Sequence, residues 1–192
     1  MTALTTLVFA RGGTTELSEA TGLVEEWTMT SEPQLETLVS PEMQEKRGVW
    51  ENERVSPPVS ESDIRKWGIA SYWPEKPPRL FWDAEYAKGT RWDGIIAPQD
   101  FNPFAWPIDR PPGREADGPR TAPGTRGMNG GQVETFGVPM RPGDVITSRT
   151  RLKDWNERTT RLGLTLFTET EVEWRNQRGE LVKTRISTGI RY

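Results

Sequence analysis

The proton-transfer chemistry open to this chain rests on carboxylates, lysine and tyrosine, because none of its 192 residues is histidine or cysteine. Without cysteine there is no thiolate nucleophile, no disulfide and no thiolate ligand for a metal. The segment 79–101, RLFWDAEYAKGTRWDGIIAPQDF, combines Asp83, Glu85 and Asp100 with two tryptophans and two glycines. Side chains of these types act as general acids and bases in enzymes. The segment is therefore the strongest candidate for the rim of an active site.

Two interpretations of its carboxylates are open. Asp83 has a position typical of the N-cap of a short helix, AEYAK, and Glu85 then lies in the first turn, where the helix dipole favours negative charge. Alternatively, Asp83 or Glu75 acts with Tyr86 as an acid–base pair. Carboxylates at such irregular spacing are a weak signal for a metal, so we expect no metal site.

Two other ligand classes receive little support. The stretch 124–131, GTRGMNGG, has the glycines of a phosphate loop but lacks the Gly-Lys-Ser/Thr ending. Arginine and tryptophan alternate near 65–67 and 91–92, and aromatic side chains can stack on bases. The net charge is −3, however, and the tryptophan-rich half has no basic stripe. We therefore expect no nucleic-acid partner.

The charge is unevenly distributed along the chain. Residues 1–60 carry 4 basic and 10 acidic side chains, whereas residues 141–192 carry 11 basic and 7 acidic ones. Either these are two ordinary solvated surfaces, or the basic part contacts an acidic arm or an anionic ligand.

The sequence also predicts a soluble, cytoplasmic protein with no membrane partner. No basic residues precede the short apolar run near the N-terminus, which is atypical of a signal peptide. No apolar run approaches the roughly 20 residues of a membrane span.

One helix is predicted ahead of the candidate rim. Ser60 and Asp63 have capping-box spacing, and Ile64, Trp67 and Ala70 then fall on one helix face. Prolines from position 74 onward end this helix.

Two short helices are predicted within the rim itself. The first is AEYAK, capped by Asp83 and terminated by Gly89. The second begins at Pro98, a typical first-turn proline. It must be short or bent, because Pro103 and Pro107 follow.

The flanking segments define the domain organisation. Residues 1–34 are weakly patterned and acidic, and we interpret them as an N-terminal extension with one short helix near 16–27. Residues 35–192 then form a single domain. Within it, residues 107–131 are rich in proline and glycine and predict a long loop, either a disordered surface segment or a flap over a binding site or subunit interface.

The last third of the chain predicts an antiparallel sheet. Apolar residues alternate with more polar ones over 162–174 and again over 182–190, and Gly179 lies in the turn between them. Further strands are predicted near 144–154 and 132–138. Helices followed by three or four antiparallel strands indicate an α+β fold, with a sheet wrapped around a long helix. The open edges of such a sheet favour pairing with another copy or a relative.

Three blocks in this order resemble a known family: FWDAEYAKGTRWDGIIAPQDF, MNGGQVETFGVPMRPGDVITSRTRL and VEWRNQRGELV. They are similar to the MaoC-like hot-dog dehydratases and hydratases, specifically the N-terminal, FAS1-like dehydratase branch, over residues 35–192. The resemblance implies a hot-dog fold, in which an antiparallel sheet wraps around a central helix and pairs with a second hot dog.

Active members of this family hydrate enoyl-CoA thioesters with an aspartate and a histidine. Water adds across a conjugated double bond, so one group must accept a proton and another must return it. This sequence departs from that pattern. Phe81 stands where the first segment has its histidine, Lys76 is near the place of the aspartate, and Pro98 replaces the histidine of the second segment.

The resemblance therefore implies a non-catalytic subunit of a heteromeric enoyl-CoA hydratase, with no catalytic residue of its own. A catalytic MaoC-like partner supplies the dyad in a heterodimer or heterotetramer, and the acyl-CoA thioester is substrate rather than cofactor. This chain shapes a pocket for a bulky acyl group, such as that of a steroid side-chain enoyl-CoA. Alternatives are a non-enzymatic acyl-binding or scaffolding module and a self-sufficient carboxylate-based hydratase. The expected pocket residues are Phe81, Trp82, Trp92, Pro98 and Gln99, with Trp106 as a further channel wall.

Overall fold

A computed structural model describes residues 37–108 and 123–192. The predicted extension 1–34 and its helix near 16–27 lie outside these residues. Helices precede four consecutive strands, which confirms the α+β prediction. The elements in chain order are helix α1 (Pro41–Lys46), strand β1 (Glu51–Val55), helix α2 (Glu61–Tyr72), a 3₁₀ turn (Arg79–Phe81), helix α3 (Ala84–Lys88) and strands β2 (Gly127–Phe136), β3 (Thr147–Thr160), β4 (Gly163–Arg175) and β5 (Leu181–Arg191).

All five strands form one antiparallel sheet in the order β1-β3-β4-β5-β2. The predicted hairpin joins β4 to β5, and Gly179 has a φ of 78° in its turn, a conformation that glycine adopts without steric cost. Strand β1 was not anticipated, because its short polar sequence ENERV has no alternating apolar pattern.

The inner face of the sheet, defined here as the face that carries Trp174 and Val172, packs against the core. Ile64 of α2 and Phe101 belong to the same buried cluster as Trp174 of β4 and Val182 of β5. Because Ile64 is fully buried, α2 is the helix that anchors the helical segment to the sheet. None of the helices in the described residues is long and apolar enough to cross a membrane.

Ion pairs between β3 and β4 cover the opposite, outer face. The charged nitrogen and carboxylate oxygen are 2.7 Å apart in Arg149–Glu173, 2.6 Å in Arg151–Glu171 and 3.3 Å in Lys153–Glu169. Each pair joins residues directly opposite or nearly so in the strand register, where opposite charges stabilise a sheet. The alternation in the sequence therefore reflects one largely polar face and one mixed face of the sheet.

Replacing Glu173 with Gln should destabilise the fold in a pH-dependent way. Hydrogen bonds from Arg175, with a further contribution from Arg149, hold the pKa of the Glu173 carboxyl below its usual value. Because the folded-state pKa is depressed, this stabilisation is present above the unfolded pKa of about 4.3 and is lost as the pH falls through the folded pKa. We expect Glu173→Gln to lower the free energy of unfolding by about 1–2 kcal/mol near neutral pH.

Urea unfolding at several pH values measures this effect, and the difference between the two proteins should shrink in acid. Glu169→Gln is the matched control, because the Glu169 side chain is 45% exposed and its pair with Lys153 is longer. Its effect should stay below about 0.5 kcal/mol. If both variants lost the same free energy of unfolding at every pH, the stabilising role of the Glu173 carboxylate would be contradicted.

Helix α2 begins as predicted, but its buried face differs. The Asp63 backbone N–H donates to the Ser60 hydroxyl at 3.0 Å, which is the predicted cap. Ile64 and Gly68 are buried and Trp67 packs against the core, but Ala70 is exposed. Ala70 shares the face of Ile64 and Trp67 but lies outside the core, because the core covers the side of α2 that carries Ile64 and Gly68.

No helix begins at Pro98, so the predicted third helix is wrong. The chain instead makes a turn, in which the Phe101 N–H donates to the Pro98 carbonyl at 3.0 Å. The Asn102 side-chain oxygen then accepts from the Phe104 N–H at 3.0 Å. Pro103 has no N–H and disfavours helical geometry at Asn102, so the backbone cannot continue as a helix.

The loop predicted over 107–131 ends earlier than expected, because strand β2 already begins at Gly127. The glycines near 130 have low strand propensity, which favours a loop, but this segment pairs with β5 and is therefore a strand. The pairing shifts register between Asn129 and Gly131. Residues 109–122 of the predicted loop lie outside the described part of the chain.

Candidate functional site

A cavity of about 100 Å³ lies where β2 ends, and we call it the edge cavity. Its walls come from residues 96–99 and 136–140, together with Trp92, Val182 and Lys183. The Ala97 N–H donates to the Met140 carbonyl at 2.8 Å, which ties the two wall segments together. Most of these residues are apolar, so the cavity suits a carbon chain better than a charged group.

Three of the five predicted pocket residues meet in the edge cavity: Trp92, Pro98 and Gln99. Their roles toward a ligand stay predictions. Pro98 is buried, whereas Gln99 is exposed. The Trp92 carbonyl accepts from the Arg141 guanidinium at 2.6 Å, which fixes the backbone at this wall.

Phe81 and Trp82 do not line the edge cavity. The Phe81 ring lies 6.0 Å from the Tyr72 ring and packs against the core. The Trp82 indole N–H donates to the Pro77 carbonyl at 3.0 Å, and the Lys76 ammonium lies 4.7 Å from the Trp82 ring centre.

Trp106 also lies elsewhere. It is exposed and contacts Trp67 edge-to-face at a ring distance of 5.8 Å. Of the three tryptophans that the sequence offers as channel walls, only Trp92 lines the edge cavity.

The carboxylates of the candidate rim have structural partners. The Tyr86 backbone N–H donates to Asp83 at 3.0 Å, and Arg79 forms an ion pair with Asp83 at 2.8 Å. The bond from Tyr86, followed by that from Arg79, holds the pKa of the Asp83 carboxyl below its usual value. Glu75 and the Tyr86 ring are exposed, and neither lines the edge cavity. The geometry favours the helix-cap interpretation of Asp83.

If the hydration activity that the family resemblance implies is assayed, we expect Asp83→Asn to leave it within about twofold of the parent, because asparagine caps a helix as well as aspartate does. Asp83→Ala removes the cap and should lower the urea midpoint of unfolding further than Asp83→Asn. Steady-state rates and urea titrations of both variants check this. A loss of activity in Asp83→Asn without loss of stability would instead favour a catalytic carboxylate.

Lys183 is a candidate site residue that sequence reasoning missed. It is only 3% exposed and lines the edge cavity. In the strand register it stands directly between Phe136 of β2 and Trp174 of β4. Its ammonium lies 4.2 Å from the Trp174 ring centre and 5.9 Å from that of Phe136. Burial lowers the pKa of Lys183, and the charge of Arg185 adds to this effect while Glu134 opposes it.

A second cavity of about 100 Å³ shares Lys183 as a wall, and we call it the cationic cavity. It lies on the inner face of the sheet, and no helix among the described residues runs on from Pro98 to fill it. Its walls are Arg54, Asn102, Val172, Trp174, Lys183 and Arg185.

A family of known domains matches most of the chain. The family model described as "FAS1-like, dehydratase domain region" matches residues 46–185, well over half of the sequence. No curated protein matches at a significant level.

Several solved structures share the fold. The ChsH1–ChsH2 complex from Mycobacterium tuberculosis contains a chain with a TM-score of 0.62 at 18% identity, with 79% of this chain and 91% of that chain covered. A MaoC-like dehydratase from Rhodospirillum rubrum has a TM-score of 0.50 at 15% identity, with coverages of 73% and 90%. Another MaoC-like dehydratase gives 0.53 at 17% identity and covers 78% of this chain but 43% of that chain.

At these identities the structural likeness establishes the fold alone, and the family match establishes membership. The five-stranded sheet with its few helices is the α+β hot-dog fold, as the sequence predicted. The chain belongs to the family of FAS1-like dehydratase domain regions.

Proposed function

We propose that the chain is the non-catalytic subunit of a heteromeric enoyl-CoA hydratase, which shapes the acyl pocket while a MaoC-like partner supplies the Asp/His dyad. The observation that carries this proposal is the composition of the edge cavity. Its walls are mostly apolar, as a thioester site requires, and among the described residues Lys183 is the only ionisable side chain that lines it. The family resemblance places Phe81 and Pro98 at the positions of the histidines of active members, and both pack as apolar side chains.

A self-sufficient carboxylate enzyme is less well supported. Asp83 is engaged by Tyr86 and Arg79, and Glu75 is exposed away from the edge cavity. A general base must lie within hydrogen-bond reach of the reacting water. Neither carboxylate lines the cavity in which the thioester would lie.

The free edge of β2 is the place where we expect the partner to pair. Within the described residues β2 pairs only with β5, and most of its residues are exposed, including Val133 at 67%. An exposed edge strand is a template for pairing with another chain. The edge cavity begins at Phe136, the last residue of β2, so a partner bound along this edge would lie beside the cavity. The related ChsH1–ChsH2 structure is a complex of two different chains.

The acyl group is proposed to be bulky. The turn after Pro98, in place of a helix, leaves the inner face at the cationic cavity open. In this proposal a larger acyl group, such as a steroid side-chain thioester, extends from the edge cavity along the part of the inner face that a continuous helix would cover. Comparing hydration of a steroid enoyl-CoA with that of crotonyl-CoA by the assembled enzyme tests this point.

Val133→Lys should abolish assembly with the catalytic partner. A charge on an edge strand opposes edge-to-edge pairing, and Val133 is too exposed for the change to disturb the fold of the chain itself. Co-expression with MaoC-like chains that carry the dyad, followed by mass measurement of the purified complex, checks this.

The matched control is Val55→Lys, since Val55 is 59% exposed on β1 at the opposite edge of the same sheet. We expect it to assemble normally. Equal loss of assembly in both variants, or no complex with any dyad-bearing chain, would overturn the proposed pairing.

A further inference from the structure

The charges around Lys183 do not balance. Its ammonium lies 3.6 Å from a Glu134 oxygen, while the Arg185 guanidinium binds the same oxygen at 2.6 Å. Glu134 is therefore more tightly held by Arg185, and the two cations share one carboxylate. Arg54, on the same wall, stacks over the Phe104 ring at 4.3 Å and has no ion pair among the residues described. Asp100 is a second acidic group near Lys183, so three cationic side chains face two carboxylates and the cationic cavity carries excess positive charge.

The polar side chains of the cationic cavity offer hydrogen-bond donors. The Trp174 indole N–H is buried and has no hydrogen-bond partner within the described structure. The Asn102 side-chain oxygen is already occupied by the Phe104 N–H, which leaves its amide NH₂ group as the free donor. Together with the lysine and the two arginines, these groups form a wall of donors, and the remaining lining residue is Val172.

A buried donor without a partner is costly, and so is a buried charge that shares its counter-ion. A wall that combines both features is complementary to one kind of ligand, an anion with several acceptor oxygens. A carboxylate fits this description and a cavity of about 100 Å³.

We propose that the cationic cavity binds a free carboxylate on the acyl group, so that the substrate is an acyl-CoA thioester whose carbon chain ends in a second acid group. This inference rests on the proposed function. Lys183 lines both cavities, which are therefore adjacent. In this proposal the carbon chain lies in the edge cavity and its carboxylate lies among the cationic donors. Arg54 is exposed and marks the solvent side of the cationic cavity.

The phosphates of coenzyme A are an alternative anion, and the small size of the cationic cavity, about 100 Å³, disfavours them. A nucleotide diphosphate is larger than a carboxylate and requires wider access to solvent. Free coenzyme A therefore serves as a separate arm of the test.

The experiment is isothermal titration calorimetry of the full chain, together with its partner where the two co-purify, with two saturated thioesters that are not turned over. Adipyl-CoA and hexanoyl-CoA have the same carbon chain and differ only in the terminal carboxylate. A second pair with a longer carbon chain, dodecanedioyl-CoA and lauroyl-CoA, is included in case the six-carbon chain is too short to reach from one cavity to the other. We expect at least one dicarboxylic thioester to bind about 10-fold or more tightly than the monocarboxylic thioester of the same chain length, as hydrogen bonds to a charged group imply.

Lys183→Met should remove this preference, so that the ratio of the adipyl-CoA and hexanoyl-CoA affinities falls to about one, whatever the change in hexanoyl-CoA affinity alone. It should also raise or preserve the urea midpoint, because an apolar side chain of similar length replaces a buried charge and Glu134 keeps Arg185. A purely structural lysine would instead lower the midpoint. Lys153→Met, on the outer face, is the control and should change neither affinity nor preference.

The outcomes separate the two proposals. If matched thioesters bind equally, or the preference survives Lys183→Met, the carboxylate site is wrong and the hydratase subunit stands. If Lys183→Met weakens free coenzyme A as much as the thioesters, the cations bind phosphate and the carboxylate site is again wrong. If no thioester binds, both proposals fail.

Discussion

Purified alone, the chain should hydrate crotonyl-CoA no faster than a buffer blank, and an equimolar mixture with a dyad-bearing MaoC-like partner should hydrate it rapidly. Each properly positioned acid or base contributes roughly 10²–10⁴-fold to rate, so the difference should reach at least about 10³-fold. The physical reason is that the edge cavity offers apolar walls and one lysine but no histidine, and Asp83 is already engaged as a helix cap. Loss of the ultraviolet absorbance of the conjugated thioester measures the rate.

Two control variants test which of the two chains supplies the catalytic groups. Substituting the partner's catalytic histidine should abolish activity in the mixture, whereas Asp83→Asn in this chain should not. Turnover by the lone chain well above the blank would contradict the proposal. In that case Lys183→Met would show whether the buried lysine on the edge cavity is the proton-transfer group.

Phe101→Ala should have the largest effect on stability, a loss of about 3–5 kcal/mol in the free energy of unfolding. Phe101 is only 1% exposed and contacts the Trp67 ring edge-to-face at 5.5 Å. It holds the turn after Pro98 in the core, in the place where the sequence predicted a helix. Since small domains are stable by about 5–15 kcal/mol, this loss removes a large part of the total.

Urea unfolding at neutral pH measures the change, and Phe101→Leu should recover most of the stability because it refills the volume. Leu162→Ala is the control for exposure, as Leu162 is 46% exposed in the β3–β4 turn, and it should cost less than about 1 kcal/mol. A small effect of Phe101→Ala would show that the turn is held by its backbone bonds instead.

Local sequence signals predicted the elements that depend on near neighbours. The Ser60 and Asp83 caps act within three residues, and both form as expected. The strands β3, β4 and β5 follow from alternation within each strand, since a half-buried strand exposes every second residue. The helix predicted at Pro98 is wrong, because a local proline signal competes with the packing of Phe101 and with Pro103.

The candidate site was predicted in part. Trp92, Pro98 and Gln99 come together in the edge cavity, whereas Phe81 and Trp82 lie nearby in sequence but pack elsewhere. Phe81 and Trp82 diverge from Trp92 because helix α3 lies between them in the chain. Tertiary packing, rather than residue type, decides which aromatic residues of this segment line the cavity.

By itself, the sequence determined that this protein has no imidazole or thiol for catalysis, that its last third forms an antiparallel sheet, and that helices precede that sheet. Only the tertiary structure decided that Lys183 is buried between Phe136 and Trp174 and shares Glu134 with Arg185. The reason is that these contacts come from the pairing of β5 with β2 and β4. Such a register is fixed by burial of one whole sheet face and is not encoded in the residues beside Lys183.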